Sequence, residues 1–334
     1  MKALVLNNKT EALVLQDLPD LIPNKDEAIV KIHSAALNHR DLWIQKGMYA
    51  GLKYPIVPGS DGAGVVTATG NKEHAHWIGK EVIIYPAINW GDQASYQHPK
   101  NFKILGLPDD GTFAEYVKVP AINLFEKPPH LSIEEAAAIP LAGLTAYRAL
   151  FTRGQLAQNE KLLITGIGGG VALLGLQFAV AANANAYVTS GDDEKIARAI
   201  SLGAKGAANY KNEKWVEQLQ EKAGSFDIIL DGAGGEGVGQ LLNIASPGGR
   251  IVFYGATRGN PSTVDLRRIF WKQLNVLGST MGTAADFKSM LDLVNKHKIR
   301  PVVDKIFPFA EGENALRRMD DEKQFGKIVI KMIV

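Results

Sequence analysis

The stretch KLLITGIGGGVALLGLQFAVAA, residues 161–182, constrains the fold more than any other part of the chain. A short apolar strand, KLLIT, runs into glycines 166, 168, 169 and 170, and a long apolar helix leaves them. Glycine lets the backbone turn tightly and lets a pyrophosphate approach it closely. The helix start then offers free N–H groups and the positive end of its dipole to that anion. The strict six-residue glycine fingerprint is not met, because Val171 stands where its last glycine belongs. The looser spacing Gly166, Gly169, Ala172 is met, and a small residue still packs helix on strand. A glycine cluster alone marks a turn. Between a strand and a helix it predicts dinucleotide binding by Gly166, Gly168, Gly169, Gly170 and Val171.

The surroundings of the loop predict an α/β fold with a doubly wound parallel sheet. AYVTS (186–190), FDIILDGA (226–233) and GRIVFYGA (249–256) are strands without polar alternation, as in a sheet covered on both faces. DDEKIARAISLG is a helix between two of them. Upstream, SIEEAAAIPLAGLTAYRALF opens on a capping box, Ser132 with Glu135, and must kink or break at Pro140. A second glycine cluster, GAGGEGVGQ (232–240), has Gln240 where a glycine is required and reads as a strand-end turn near the ligand.

Residues 1–120 have a different texture. KALVL, EALVL, EAIVKIH, GAGVVTAT, KEVIIY and FAEYVKV are short strands punctuated by Gly, Pro and Asn, which predicts an antiparallel barrel or sandwich. FGKIVIKMIV, near the other end, is expected to rejoin that domain as a strand. The expected division is therefore 1–123 with 299–334, and 124–298 for the dinucleotide domain.

Composition removes several function classes. A net charge of +2 without a basic stripe gives no electrostatic footprint for nucleic acid. The absence of cysteine excludes disulfides and every thiolate zinc site. The longest apolar run, VALLGLQFAVAA, is well short of the ~20 residues of a membrane span. The opening MKALVLNNKTEALVL reads as strand and turn, not as a signal peptide. The expectation is a cytoplasmic protein that meets a small molecule, with no membrane or nucleic-acid partner.

The tip of the second strand bears on which dinucleotide is held. A ribose-reading acid normally ends that strand, about 20 residues after the glycine loop. Here the tip is Ser190 and then Gly191, and the acids Asp192 and Asp193 come later, where they would cap the next helix. Serine and glycine leave room for a 2′-phosphate, and Lys195 is near enough to meet it. NADP(H) is therefore expected, unless Asp192 turns back to hold an unphosphorylated ribose.

Six motifs occur in order: NHRD (38–41), PGSDGAG (58–64), GTFAEYV (111–117), GLTAY (143–147), the glycine loop and LGSTMG (277–282). In these the chain resembles the medium-chain dehydrogenase/reductase superfamily over nearly its whole length, on the zinc-independent quinone oxidoreductase side of a group often labelled zinc-type alcohol dehydrogenase-like. The resemblance implies a GroES-like β-barrel domain beside a Rossmann domain, and a homodimer. It also implies Thr145, Gly255 and Ser279 near the nicotinamide, Tyr210 near the adenine, and Lys327 as a further cofactor contact. Where zinc alcohol dehydrogenases place cysteine, histidine and cysteine on the metal, this chain has Asn38, Ser60 and Leu141, so no zinc is expected. The segment 88–110 replaces the lobe that holds a structural zinc. His74 and His76 form a turn without further ligands, His39 starts a helix, and Asp231 holds loops.

Without a Lewis acid, alcohol oxidation loses its alkoxide stabiliser. Quinones and α,β-unsaturated carbonyls accept hydride more readily, with the developing oxyanion held by hydrogen bonds. Candidate pocket residues are Asn38 as donor, Tyr49 as proton donor or packing group, Trp43 as a flat wall, Ser60, and Asp41, which also suits a helix cap. Reduction of simple aldehydes or ketones, and a non-catalytic NADPH-binding role, remain as alternatives. The strand in KQLNVLGST is the expected dimer edge.

Overall fold

The computed structural model describes residues 1–332. Its elements follow in chain order. β1 (Lys2–Val5) and β2 (Val14–Asp17) form an antiparallel pair. Next come β3 (Glu27–Ala36), α1 (His39–Gln45), β4 (Asp61–Thr69) and β5 (Glu81–Ile84). A two-stranded flap of β6 (Ala87–Ile88) and β7 (Lys103–Ile104) precedes β8 (Tyr116–Pro120) and β9 (Leu124–Glu126). The next helix, α2 (Ile133–Ala137), has the expected Ser132/Glu135 capping box, and α3 (Pro140–Tyr147) begins on the proline. Pro140 thus breaks the run cleanly, since at a first helical position its missing N–H costs nothing.

Strand and helix then alternate: β10 (Lys161–Ile164), α4 (Gly170–Ala181), β11 (Asn185–Ser190), α5 (Asp193–Ser201), β12 (Gly206–Asn209), α6 (Trp215–Ala223) and β13 (Phe226–Asp231). The series ends with α7 (Val238–Ile244), β14 (Ala245–Phe253), α8 (Leu266–Trp271) and β15 (Asn275–Gly278). Last come α9 (Ala284–His297), β16 (Val303–Pro308), α10 (Gly312–Asp320) and β17 (Lys327–Lys331).

Two compact units result, one of residues 1–142 with 282 onward and one of residues 143–281. In the first, a seven-stranded sheet runs β16-β17-β3-β4-β5-β9, with β8 on β3. β17, the last described strand, pairs with β3, as the sequence predicts, and residues 333–334 of the expected strand lie outside the described residues. The units change at 142/143 and 281/282, not at the expected 123/124 and 298/299. Aromatic packing accounts for the second shift: Phe287 of α9 lies against Tyr85 and Phe125, with ring centroids 5.3 and 4.8 Å apart, and the Tyr85 hydroxyl donates to the Gly282 carbonyl at 2.6 Å.

The second unit has one six-stranded sheet, in the order β12-β11-β10-β13-β14-β15. Every pair is parallel. Its core joins Leu163, Ile229 and Ile251 from three strands to Leu219 and Leu241 from two helices. The strand order reverses between β10 and β13, the switch point outside which open α/β sheets bind ligands. Among the described residues no helix is long and apolar enough to cross a membrane.

Candidate functional site

In the second unit, the loop after β10 lies at the switch point. Gly166 and Gly168 have φ of 64° and 143°, backbone that side chains resist. The Gly166 and Ile167 amides are tied to Thr189 of β11, at 3.3 Å to Oγ1 and 2.8 Å to the carbonyl. Gly169 is the N-cap of α4 and no side chain caps that helix. By contrast α2, α5 and α9 are capped by Ser132, Asp192 and Thr283. A Cβ built on Gly166 or Gly169 meets nothing within 4 Å. The first N–H groups of α4 are therefore without a side-chain cap and lie beside glycines with open space around them, an arrangement that suits a pyrophosphate. Farther along α4, a Cβ on Gly175 would stand 3.1 Å from Leu230, so small residues keep the helix close to the sheet.

Asp231 braces this loop from below. Its carboxylate accepts from Thr165 Oγ1 at 2.5 Å and from the Gly234 amide at 2.7 Å. Burial pushes its carboxyl up, against the hydrogen bonds from Thr165, Gly234 and Ala233. Burial also raises the Tyr254 phenol, and the nearby Asp231 charge adds to the rise. The second glycine cluster is thus a strand-end turn held by Asp231.

At the tip of β11, Ser190 is buried and its Oγ accepts from the Asp192 amide at 3.2 Å. Asp192 turns away to cap α5, accepting from the amides of Glu194 and Lys195 at 2.8 and 3.2 Å. Gly191 is required by a close approach: a Cβ there would fall 2.8 Å from the Tyr210 ring. Thr145 is buried on α3, Gly255 follows β14, and the Ser279 Oγ is buried without a hydrogen-bond partner.

In the first unit, three neighbouring strands bring charge together. Ala36, the last residue of β3, pairs with Asp61 on β4 and with Val329 on β17. Lys327 starts β17, so its side chain reaches the same edge. Its ammonium group donates to the Leu37 carbonyl (2.7 Å), Asn38 Oδ1 (2.7 Å) and Asp61 Oδ2 (2.9 Å). The Lys327 and Asp61 side chains are 4% and 0% exposed. Asn38 Nδ2 donates to Asp61 Oδ2 at 2.9 Å, and Asp61 Oδ1 accepts from the Leu141 amide at 2.7 Å.

A second cluster adjoins it. Asp41 accepts from the Asn38 and Gly59 amides at 2.8 and 3.3 Å and completes the capping box of α1. Full burial pushes its carboxyl up to about 6, against the pull of Arg40, the Asn38 amide and Lys327. Arg40 donates to Ser60 Oγ (2.6 Å) and to the Leu105 carbonyl (2.8 Å), and Ser60 also donates to Leu105 at 2.7 Å. The Arg40 guanidinium lies 5.1 Å from the centre of the Tyr49 ring. Trp43 is half-buried on α1 with the Lys46 ammonium 5.6 Å from its ring centre. Desolvation lowers the His39 imidazole, Lys327 adds to that, and Glu322 opposes it.

Asn38, Asp41 and Ser60 are thus brought together, but with their polar groups committed to one another and to the backbone. Lys327, read from sequence as a cofactor contact, has its ammonium hydrogens occupied by Leu37, Asn38 and Asp61. Sequence reasoning missed Asp61 and Arg40 as members of the cluster. Only strand register reveals that Asp61 and Lys327 are neighbours.

The comparisons with known proteins agree with this geometry. Residues 24–129 match the model of the alcohol dehydrogenase GroES-like domain, and 170–296 match the zinc-binding dehydrogenase model. The zinc-type alcohol dehydrogenase-like protein YogA of Leptosphaeria maculans is 35% identical, over 93% of this chain and 92% of its own. The chain belongs to the medium-chain dehydrogenase/reductase superfamily. An acryloyl-coenzyme A reductase of Sulfurisphaera tokodaii is 29% identical over 99% of this chain and its own full length. A solved NAD-dependent alcohol dehydrogenase superposes with a TM-score of 0.92 at 33% identity, over the whole of both chains.

Medium-chain dehydrogenases/reductases are oxidoreductases that bind nicotinamide cofactors, and the uncapped α4 and open glycines fit one. The residues here do not fit the zinc that one family model's name implies. Asn38 and Ser60 are already bonded, Leu141 has no donor in its side chain, and an ammonium group already binds the acceptors. Among the described residues no three His, Cys, Asp or Glu side chains are grouped to hold a metal.

Proposed function

We propose that this chain is an NADPH-dependent, zinc-independent reductase that delivers hydride to a quinone or an α,β-unsaturated carbonyl. The observation that carries this reading is the Lys327–Asp61–Asn38 network, which fills with a fixed ammonium ion the acceptor set that a metal would need. Without a Lewis acid, an alcohol has nothing to stabilise its alkoxide, whereas an electron-poor alkene or quinone is already activated. Reduced nicotinamide supplies the hydride; the chain's own residues bind, orient and exclude water. The relative named as an acryloyl-coenzyme A reductase supports a conjugated carbonyl as acceptor. The tip of β11, Ser190 and Gly191, carries no carboxylate, and Asp192 is turned into its cap, which supports NADPH.

A second reading, a non-catalytic NADPH-binding protein, is favoured by the closure of the same network, which leaves Asn38, Asp41 and Ser60 without a free acid or base. Loss of NADPH absorbance with a panel of quinones, enones and aldehydes, after metal removal with a chelator, separates the readings. Turnover of quinones or enones is expected. Tight NADPH binding with no turnover favours the second reading, and turnover of aldehydes alone places the chain among simple carbonyl reductases. Stoichiometric zinc in the purified protein overturns the metal-free reading. The protein is further read as cytoplasmic, with a small-molecule partner.

A further inference from the structure

The adenosine end of the groove carries a cation that the second strand does not supply. Arg258 lies in the turn after β14, and Tyr210 directly follows β12. In the sheet order three strands, β11, β10 and β13, stand between β12 and β14. The Arg258 guanidinium nevertheless lies 4.9 Å from the centre of the Tyr210 ring, and its Nη2 donates to the phenol oxygen at 3.1 Å. The two side chains therefore span the carboxyl ends of the intervening strands, where open α/β sheets bind ligands.

Both ends of this span are anchored by backbone. The Tyr210 amide donates to the Ser190 carbonyl at 3.0 Å, which puts the ring against Gly191. The Arg258 amide donates to the Ala233 carbonyl at 2.8 Å, and the Gly235 amide to the Gly259 carbonyl at 2.8 Å. A Cβ on Gly235 would touch Arg258, so the turn after β13 is trimmed to let the arginine pass.

The charges around it are already assigned. Asp192 caps α5, Asp193 accepts from Asn209 at 2.9 Å, and Glu236 accepts from the amide and hydroxyl of Ser262 at 2.8 and 2.9 Å. Among the described residues no carboxylate pairs with Arg258, and the Tyr210 bond uses one N–H of its fork. A planar guanidinium beside an aromatic face, with donors to spare and no counter-ion, suits a phosphate ester next to a flat base.

We propose that Arg258, carried by the turn after β14, is the residue that distinguishes NADPH from NADH by meeting the 2′-phosphate while Tyr210 supports the adenine. This rests on the dinucleotide reading above. Arg258 is then a specificity-determining residue: it sets which cofactor is held and takes no part in hydride transfer.

Equilibrium titration of the wild type and Arg258→Ala with NADPH and with NADH, followed by nicotinamide fluorescence, tests it. The variant is expected to lose roughly tenfold to a hundredfold in NADPH affinity, as for one charge-assisted phosphate contact. NADH affinity should stay within about twofold, and Arg258→Lys should recover part of the loss. Competition by 2′,5′-ADP should weaken in Arg258→Ala while competition by 5′-AMP is retained. Equal losses for both dinucleotides, or no loss, overturn the proposal and leave the oxidoreductase reading intact. Wild-type protein that binds neither dinucleotide overturns both, and exposed Arg258 gives no reason for the variant to misfold.

Discussion

Asp41 is a buried carboxyl whose acidity has been moved into the working range of pH. Its unfolded form titrates near 3.8 and its folded form near 6. The folded state thus holds the proton more tightly, so the stability this group adds is full below about pH 4 and is lost as pH rises through about 6. The change amounts to about 3 kcal/mol at ~1.4 kcal/mol per pKa unit. Melting temperature against pH, compared between wild type and Asp41→Asn, should show that loss in the wild type only. Lys327 behaves differently, because its removal strands the Asp61 carboxylate in the core. Lys327→Met should cost roughly 3–5 kcal/mol in denaturant unfolding, and pairing it with Asp61→Leu should recover much of that. At this scale the sequence revealed Asp41 through local spacing, since a cap three residues from its N-cap is a short-range rule. It hid the partnership of Asp61 and Lys327, which are separated by most of the chain.

The glycine loop and its helix are a single device, and their cost to folding can be separated from their use in binding. Gly166 needs a positive φ but has open space where a side chain would go. Gly166→Ala should therefore destabilise the fold by only about 1 kcal/mol of backbone strain. Its NADPH affinity should fall by a larger factor, because the methyl group occupies space meant for the pyrophosphate. Calorimetry of melting and a binding titration on the same sample check the split. Elements of this kind were the most legible ones, because strand, glycines and helix are contiguous. The break at Pro140 was legible for the same reason. The span from Tyr210 to Arg258 was not, because it depends on which strands end side by side.

The sheet of the second unit has two open edges, β12 and β15, and among the described residues the β15 edge lies beside exposed apolar side chains. β15 ends the order, with Val276 47% exposed, and the preceding α8 presents Trp271 at 83%. An open edge next to exposed apolar side chains invites a second copy. We expect sedimentation equilibrium to give twice the chain mass, and Val276→Lys to return it to one. The two-part organisation of the molecule could be read from texture, alternating strands and helices set between runs of short strands. The limits of the parts could not, because α9 is assigned by the aromatic packing of Phe287 and not by its place in the chain. Lys327 gives this organisation a consequence in time. During synthesis the segment 143–281 emerges unbroken and can collapse as soon as it clears the ribosome. The buried acid at residue 61 must wait for its counter-charge until residue 327 has been made, so the unit that holds Asp61 is completed only after the segment 143–281 has emerged.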